Sequence, residues 1–211
     1  MIFMYAAFFF KNAGVTIDPF TCSVLVGVSR LVFTLISACT IDHLGRRPLF
    51  IGSSLICSLS MFITGIVLRA NAPAFQWLPL TAVLIYVASF GLGAGPVPWI
   101  LAGEMLPTPV RAVAVSICTC IFSTFMFVLT EAFPDFIAFA GLDDAVFTFA
   151  FFHLVGAVIA WLFMPETRNR SLEELQTVFA GATLRPFRNS REGYLQAYGS
   201  TFTAQEAHKI Y

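Results

Sequence analysis

Four groups of residues carry the chemistry this sequence has to offer. The first is Gly91-Leu-Gly-Ala-Gly-Pro-Val-Pro-Trp99. Three glycines and two prolines cannot sustain a regular helix, because proline removes a backbone donor and clashes with the preceding turn. Trp99 adds a flat apolar face with one N–H donor. The second is Asp42-His-Leu-Gly-Arg-Arg-Pro48, a sharp bend that ends in two forked guanidinium donors. The third is a set of charges, Glu104, Arg111, Glu166 and Arg168. With Asp42, Arg46 and Arg47 they are expected to form an interhelical network, in which pairs individually worth about 0–1 kcal/mol jointly bias one conformation. The fourth is Arg30, a lone cation amid apolar residues. A charge there is expected to face the interior or a cavity, or to pair with a neighbouring helix. Glu131 lies nearer an end of its apolar run and says less.

The elements that position these residues are apolar. The 211 residues are 58% hydrophobic and 11% charged, with 24 Phe and a formal net charge of zero. Mean hydropathy is +0.82. A soluble chain of this size cannot hide so much apolar surface, and ordinary soluble domains are about 25% charged. Disorder, collagen and nucleic-acid binding are excluded on the same grounds. The expected class is all-α and polytopic, with the lipid bilayer as the surrounding medium.

A spanning helix needs about 20 predominantly apolar residues. Five stretches qualify, at about 20–41, 49–68, 79–102, 113–132 and 145–164. Residues 1–10 read as the second part of a sixth. The connectors carry breakers: Asn12-Ala-Gly, Asp42 to Pro48, Asn71-Ala-Pro, Leu106-Pro-Thr-Pro and Phe133-Pro-Asp. Nine Lys and Arg fall on one side of the resulting alternation and two, Lys11 and Arg69, on the other. By the positive-inside rule the basic side, which includes the tail, is cytoplasmic. The tail, 169–211, opens on a capping box, Ser171-Leu-Glu-Glu174. Leu172, Leu175 and Phe179 follow at helical spacing, so an amphipathic helix is expected over about 171–180. Asn169-Arg-Ser171 matches a glycosylation acceptor, which a cytoplasmic tail keeps from the transferase.

No catalytic or metal-binding pattern is present: no GxSxG, HExxH, nucleotide loop or useful carboxylate pair. No enzyme, cofactor or metal is expected. Cys22, Cys39, Cys57, Cys118 and Cys120 lie in apolar runs and read as small buried or lipid-facing residues. His153 reads as a packed membrane histidine. The N-terminus lacks the basic region and cleavage site of a secretory signal.

Asp42-His-Leu-Gly-Arg-Arg, Gly95-Pro-Val-Pro-Trp-Ile-Leu-Ala-Gly-Glu104, Arg111 and Pro165-Glu-Thr-Arg-Asn-Arg170 occur in order. Together they resemble the signatures of the sugar-porter branch of the major facilitator superfamily. Residues 1–14 resemble the end of that family's seventh helix. Gly103-Glu-Met-Leu-Pro107 is similar to the form in arthropod-type facilitated trehalose and hexose transporters. The resemblance covers about residues 1–175. It implies the C-terminal six-helix half of a twelve-helix carrier, its first helix truncated, that moves a small-molecule sugar by alternating access at the plasma membrane. The transport it implies is facilitative, with the missing N-terminal half or a partner chain completing the path. It places Trp99 against the sugar, the bend at Gly95, Pro96 and Pro98, and the charge network at the cytoplasmic end. The alternative is a truncated, non-transporting or regulatory half that acts with a partner.

The sequence departs from the family at contact positions. The Gln-rich seventh-helix motif would precede Met1. Gly91 stands where glucose facilitators have an acidic residue, and Arg30 where they have an amide. The Asn-Trp pair expected near Phe122-Ser123 is missing. Arg30 therefore admits an anionic substrate as an alternative to a neutral sugar.

Overall fold

The computed structural model describes residue 5 and residues 8–10, 18–70, 77–106 and 108–164. Glu166, Arg168, the sequon and the expected tail helix lie outside these residues. The described chain is helical: α1 (Pro19–Leu44), α2 (Arg46–Ala70), α3 (Leu78–Ser89), α4 (Val97–Met105), α5 (Thr108–Ala140) and α6 (Leu142–Phe163). Between α3 and α4 runs a wider π-helical turn, Phe90–Ala94. Counting α3 to α4 as one broken span, five segments are long and apolar enough to cross a membrane.

Local chemistry sets the helix ends. The Asp18 carboxylate accepts from the Thr21 N–H at 3.1 Å, and Pro19 occupies the first turn, where no donor is needed. α1 stops at Gly45, whose φ of 90° and ψ of 156° suit only a residue without Cβ. Its N–H still donates to the Ile41 carbonyl at 3.1 Å, and α2 begins at the next residue. Gly141, with φ 93°, makes the same one-residue turn from α5 into α6. Asp143 and Asp144 then lie in the first turn of α6, where the helix dipole favours negative charge.

One expected connector is corrected. Phe133-Pro-Asp lies inside α5, which runs 33 residues from Thr108 to Ala140 with Pro134 within it. At 1.5 Å per residue α5 is about 50 Å long. Proline at 134 supplies no N–H for the Thr130 carbonyl, and the Tyr5 hydroxyl donates to that carbonyl at 3.1 Å. The Tyr5 ring also rests on Phe133, centroids 5.1 Å apart. Helix-breaking residues are tolerated in a membrane when another group satisfies the freed carbonyl, and here the group comes from far away in sequence.

α2 is the centre of the bundle, packed along α6 and against α3 and the π turn. Its inward face is small and weakly polar: Ser53, Ser54, Cys57, Ser60, Thr64 and Gly65 are buried. Small residues let helix backbones approach where lipid offers no hydrophobic driving force. Ser53, Ser60 and Thr64 donate within the helix, and the neighbouring, half-buried Ser58 donates across the interface. Thr64 donates to the Ser60 carbonyl and Ser58 to the Ala150 carbonyl of α6, both at 2.8 Å. Phe9, Phe10, Cys22, Val26, Met61, Val83 and Val146 close the core at one end. Ile41, Val97, Ala160 and Met164 close it at the other. All five cysteines are free thiols.

Candidate functional site

The broken helix is wedged between α1 and α2 by its glycines. A Cβ on Gly93 would lie 2.6 Å from the Leu49 carbonyl oxygen and would strike Ser53. Gly91 is buried, and a Cβ there would sit 3.4 Å from the Arg30 carbonyl oxygen and from the Thr34 nitrogen. Two residues singled out in the sequence, Arg30 and Gly91, are thus neighbours across the α1 interface. The Gly91 backbone packs on the Arg30 backbone, while Arg30 itself is exposed.

The turn closes with a Gly95 N–H to Phe90 carbonyl bond of 2.8 Å, one residue wider than an α-helical bond. Pro96 offers the Leu92 carbonyl no donor. The buried Ser37 hydroxyl of α1 supplies it, at 2.6 Å. Beyond Pro96 and Pro98, α4 packs only lightly on its neighbours. It carries Trp99, 43% exposed, whose ring meets Phe122 of α5 edge to face with centroids 5.3 Å apart. An exposed indole fixed by one aromatic neighbour and placed just after a helix break is a surface on which a flat, partly apolar ligand can stack.

At the Gly45 end the charges condense around one residue. Arg46 contacts Asp42 at 3.0 Å and Glu104 of α4 at 2.8 Å. Its side chain is 14% exposed, that of Asp42 70%. The Glu104 contact is therefore the shielded one. Arg47 donates to the Trp161 carbonyl of α6 at 2.6 Å. Arg111 does not meet Glu104; its Nε donates to the Leu106 carbonyl at 3.2 Å, capping the end of α4. The cations thus latch α2 to α4 and to α6, and α5 to the end of α4.

Sequence reading missed three contacts. At the opposite end Arg69 of α2 reaches Asp143 at 3.3 Å and Asp144 at 3.4 Å on α6, and lies 5.8 Å over the Phe147 ring. Within the apolar core the Tyr86 hydroxyl and His153 Nε2 are hydrogen-bonded at 3.1 Å. The third is the Ser37 bond to Leu92. Depth along the helix could have suggested the Tyr86 pair: the two residues stand about 12 and 17 Å from the same ends of α3 and α6. No signal marked Ser37. Among the described residues no cluster of His, Cys, Asp or Glu could hold a metal ion.

Comparison with known proteins agrees with this geometry. The family model "Sugar (and other) transporter" matches residues 1–179. The chain is 34% identical over 189 residues to the facilitated trehalose transporter Tret1 of Drosophila yakuba, covering 87% of this chain and 22% of the relative. It is 32% identical over 188 residues to Tret1 of Apis mellifera ligustica, covering 87% and 38%. A double-tryptophan mutant of XylE superposes with a TM-score of 0.75 at 29% identity, covering 84% of this chain and 38% of that one. The inward-open xylose transporter XylE from E. coli gives 0.68 at 27%, covering 84% and 41%. The chain thus spans between about a fifth and two fifths of the length of these proteins. With the wedged helix break, the apolar spans and the family match in one frame, this chain is a multi-pass membrane protein that belongs to the sugar (and other) transporter family and has the helical fold of the major facilitator superfamily.

Proposed function

We propose that the chain forms the C-terminal half of a facilitative carrier for trehalose or hexose-class sugars that works by alternating access. The observation that carries this reading is Trp99, exposed on α4 directly after the break and braced by Phe122. Family membership supplies the substrate class. The sugar stacks on Trp99, with the exposed Arg30 on the same path and Gly91, packed on the Arg30 backbone, behind it. Gly95, Pro96 and Pro98 permit α4 to bend, because its α-helical ladder is already interrupted there.

The charge network of Asp42, Arg46, Arg47, Glu104 and Arg111, joined by Glu166 and Arg168, holds the cytoplasmic end closed in one state. Opening inward separates Arg46 from Glu104 and hydrates both. The tail is cytoplasmic, the membrane is the plasma membrane, and the N-terminal half or a partner chain supplies the other wall of the path. Transport is passive, driven by the sugar gradient.

The test is uptake of labelled trehalose and glucose by the product of the full coding sequence, wild type against Trp99→Ala, with surface delivery measured in parallel. Uptake falls while delivery holds. Unchanged uptake would sink the binding role of Trp99. An immunoblot for the tail adds a size: a band near twice 23.2 kDa fits two halves in one chain, and a band at 23.2 kDa demands a partner.

A further inference from the structure

The Tyr86–His153 pair is polar and lies within the bundle, Tyr86 buried and His153 half-buried, outside both the ion latch and the Trp99 surface. Its geometry is that of a joint. Tyr86 lies in the last turn of α3, just before the π turn, and His153 faces it from the middle of α6. Besides the 3.1 Å hydrogen bond, the two rings meet edge to face at 5.4 Å. Phe90, the first residue of the π turn, stacks on Tyr86 at 6.1 Å and meets the His153 ring edge-on at 6.3 Å. From α2, the Cys57 thiol donates to the Tyr86 carbonyl at 3.5 Å. Three helices therefore converge on Tyr86, one turn before the break, and on Phe90, which starts it. In an apolar medium a phenol and an imidazole that lose each other find no water to replace the bond, so the pair defines one rotation of α3 about its axis.

We infer that Tyr86 and His153 are positioning residues that fix where the helix breaks, and through that the register in which Trp99 meets the sugar. The inference rests on the carrier reading for its kinetic consequence. Loss of the pair lets the last turn of α3 rotate and shifts the start of the wide turn. Trp99, nine residues further along, is then presented off line.

The experiment uses the product of the full coding sequence with Tyr86→Phe, His153→Leu and His153→Gln. Gln keeps both a donor and an acceptor at similar reach, so it separates the hydrogen bond from ring packing. Tyr86→Phe and His153→Leu are expected to raise the KM for sugar about fivefold with surface delivery unchanged, the size of effect one membrane hydrogen bond can have. His153→Gln is expected to stay within about twofold of wild type. An unchanged KM in His153→Leu, or a Gln variant as impaired as Leu, overturns the inference.

A second readout needs no sugar. With the exposed thiols Cys39, Cys118 and Cys120 replaced by Ala, Trp99→Cys is labelled with a membrane-impermeant maleimide. His153→Leu changes the labelling rate and His153→Gln restores it. Equal rates in all three backgrounds also overturn the inference. If the wild-type product takes up no sugar, the carrier reading fails, and these labelling rates still decide whether the pair positions Trp99.

Discussion

The Ser37 hydroxyl sits 2.6 Å from the Leu92 carbonyl, the carbonyl that Pro96 leaves without a helical donor. Ser37→Ala strands that acceptor in a buried, water-poor position, at a cost of about 1–2 kcal/mol. The expected result is a lower melting temperature of the detergent-solubilised protein. Adding Pro96→Ala, which restores an N–H at position 96, should recover part of the loss. If the double variant is as unstable as the sum of the singles, the carbonyl is not what Ser37 serves.

Tyr5 and Thr130 repeat the relationship around Pro134. Tyr5→Phe keeps the ring against Phe133 and removes only the donor. About 0.5–1 kcal/mol of stability should go with it, and Pro134→Ala should make the same change nearly silent. A double-mutant cycle on thermal stability measures the coupling. A cycle that closes to zero would mean the two sites act independently.

Glu104 and Asp42 both contact Arg46, yet they predict different outcomes. Asp42 is exposed, so Asp42→Asn should alter stability or transport by no more than about 0.5 kcal/mol. Glu104→Gln removes the charge from a shielded hydrogen-bonded pair and should cost about 2 kcal/mol, about thirtyfold in the population of the latched state. The exchange Arg46→Glu with Glu104→Arg should regain more uptake than either single change. Equal effects of Asp42→Asn and Glu104→Gln would place the latch elsewhere.

Glycines divide by what surrounds them. Gly93→Ala drives a methyl into the Leu49 carbonyl and Ser53 and should cost about 1–3 kcal/mol or more. Gly52 and Gly103, also helical, have nothing within 4 Å of a built Cβ. Alanine there should be neutral or stabilise by up to about 1 kcal/mol. Melting curves of the three variants give the comparison. A tolerated Gly93→Ala would refute the tight crossing of the break on α2.

Arg69 should matter least among the ion-paired cations. It is largely exposed, and salt screens exposed pairs. Arg69→Gln is expected to change the melting temperature little, and the difference from wild type should vanish in high salt. A large loss that persists in salt would point to its contact with the Phe147 ring instead.

How much of this was legible in the sequence follows from how far each contact reaches. The apolar runs were readable because a bilayer demands about 20 such residues wherever a helix crosses it. The break was readable because Gly91 to Pro98 violates helical chemistry locally. The end of α5 was misjudged for the same local reason. Pro134 looks like a stop, but the carbonyl it leaves free, that of Thr130, takes a donor from Tyr5, 125 residues earlier, and the helix continues to Ala140. Gly141 followed by two aspartates is a turn and a helix start, and would have been the better signal. The charged residues were visible, but their partners were not. Arg46 chooses Glu104, while Arg47 and Arg111 choose carbonyls, because those choices depend on helix rotation. Tyr86 and His153 are unremarkable as letters and become a pair only when α3 and α6 are set side by side.

The one-residue turns at Gly45 and Gly141 have a mechanical meaning. A connector of one residue leaves no slack, so α1 cannot slide along α2, nor α5 along α6, by even one helical turn of about 5.4 Å without unravelling an end. Each pair therefore behaves as a strut bent double: push one limb and the other follows. Displacement can be absorbed only where the backbone has already left the α-helical ladder. Within a membrane span, the short stretch from Phe90 to Pro96 is such a place, which makes it a compliant element in the frame.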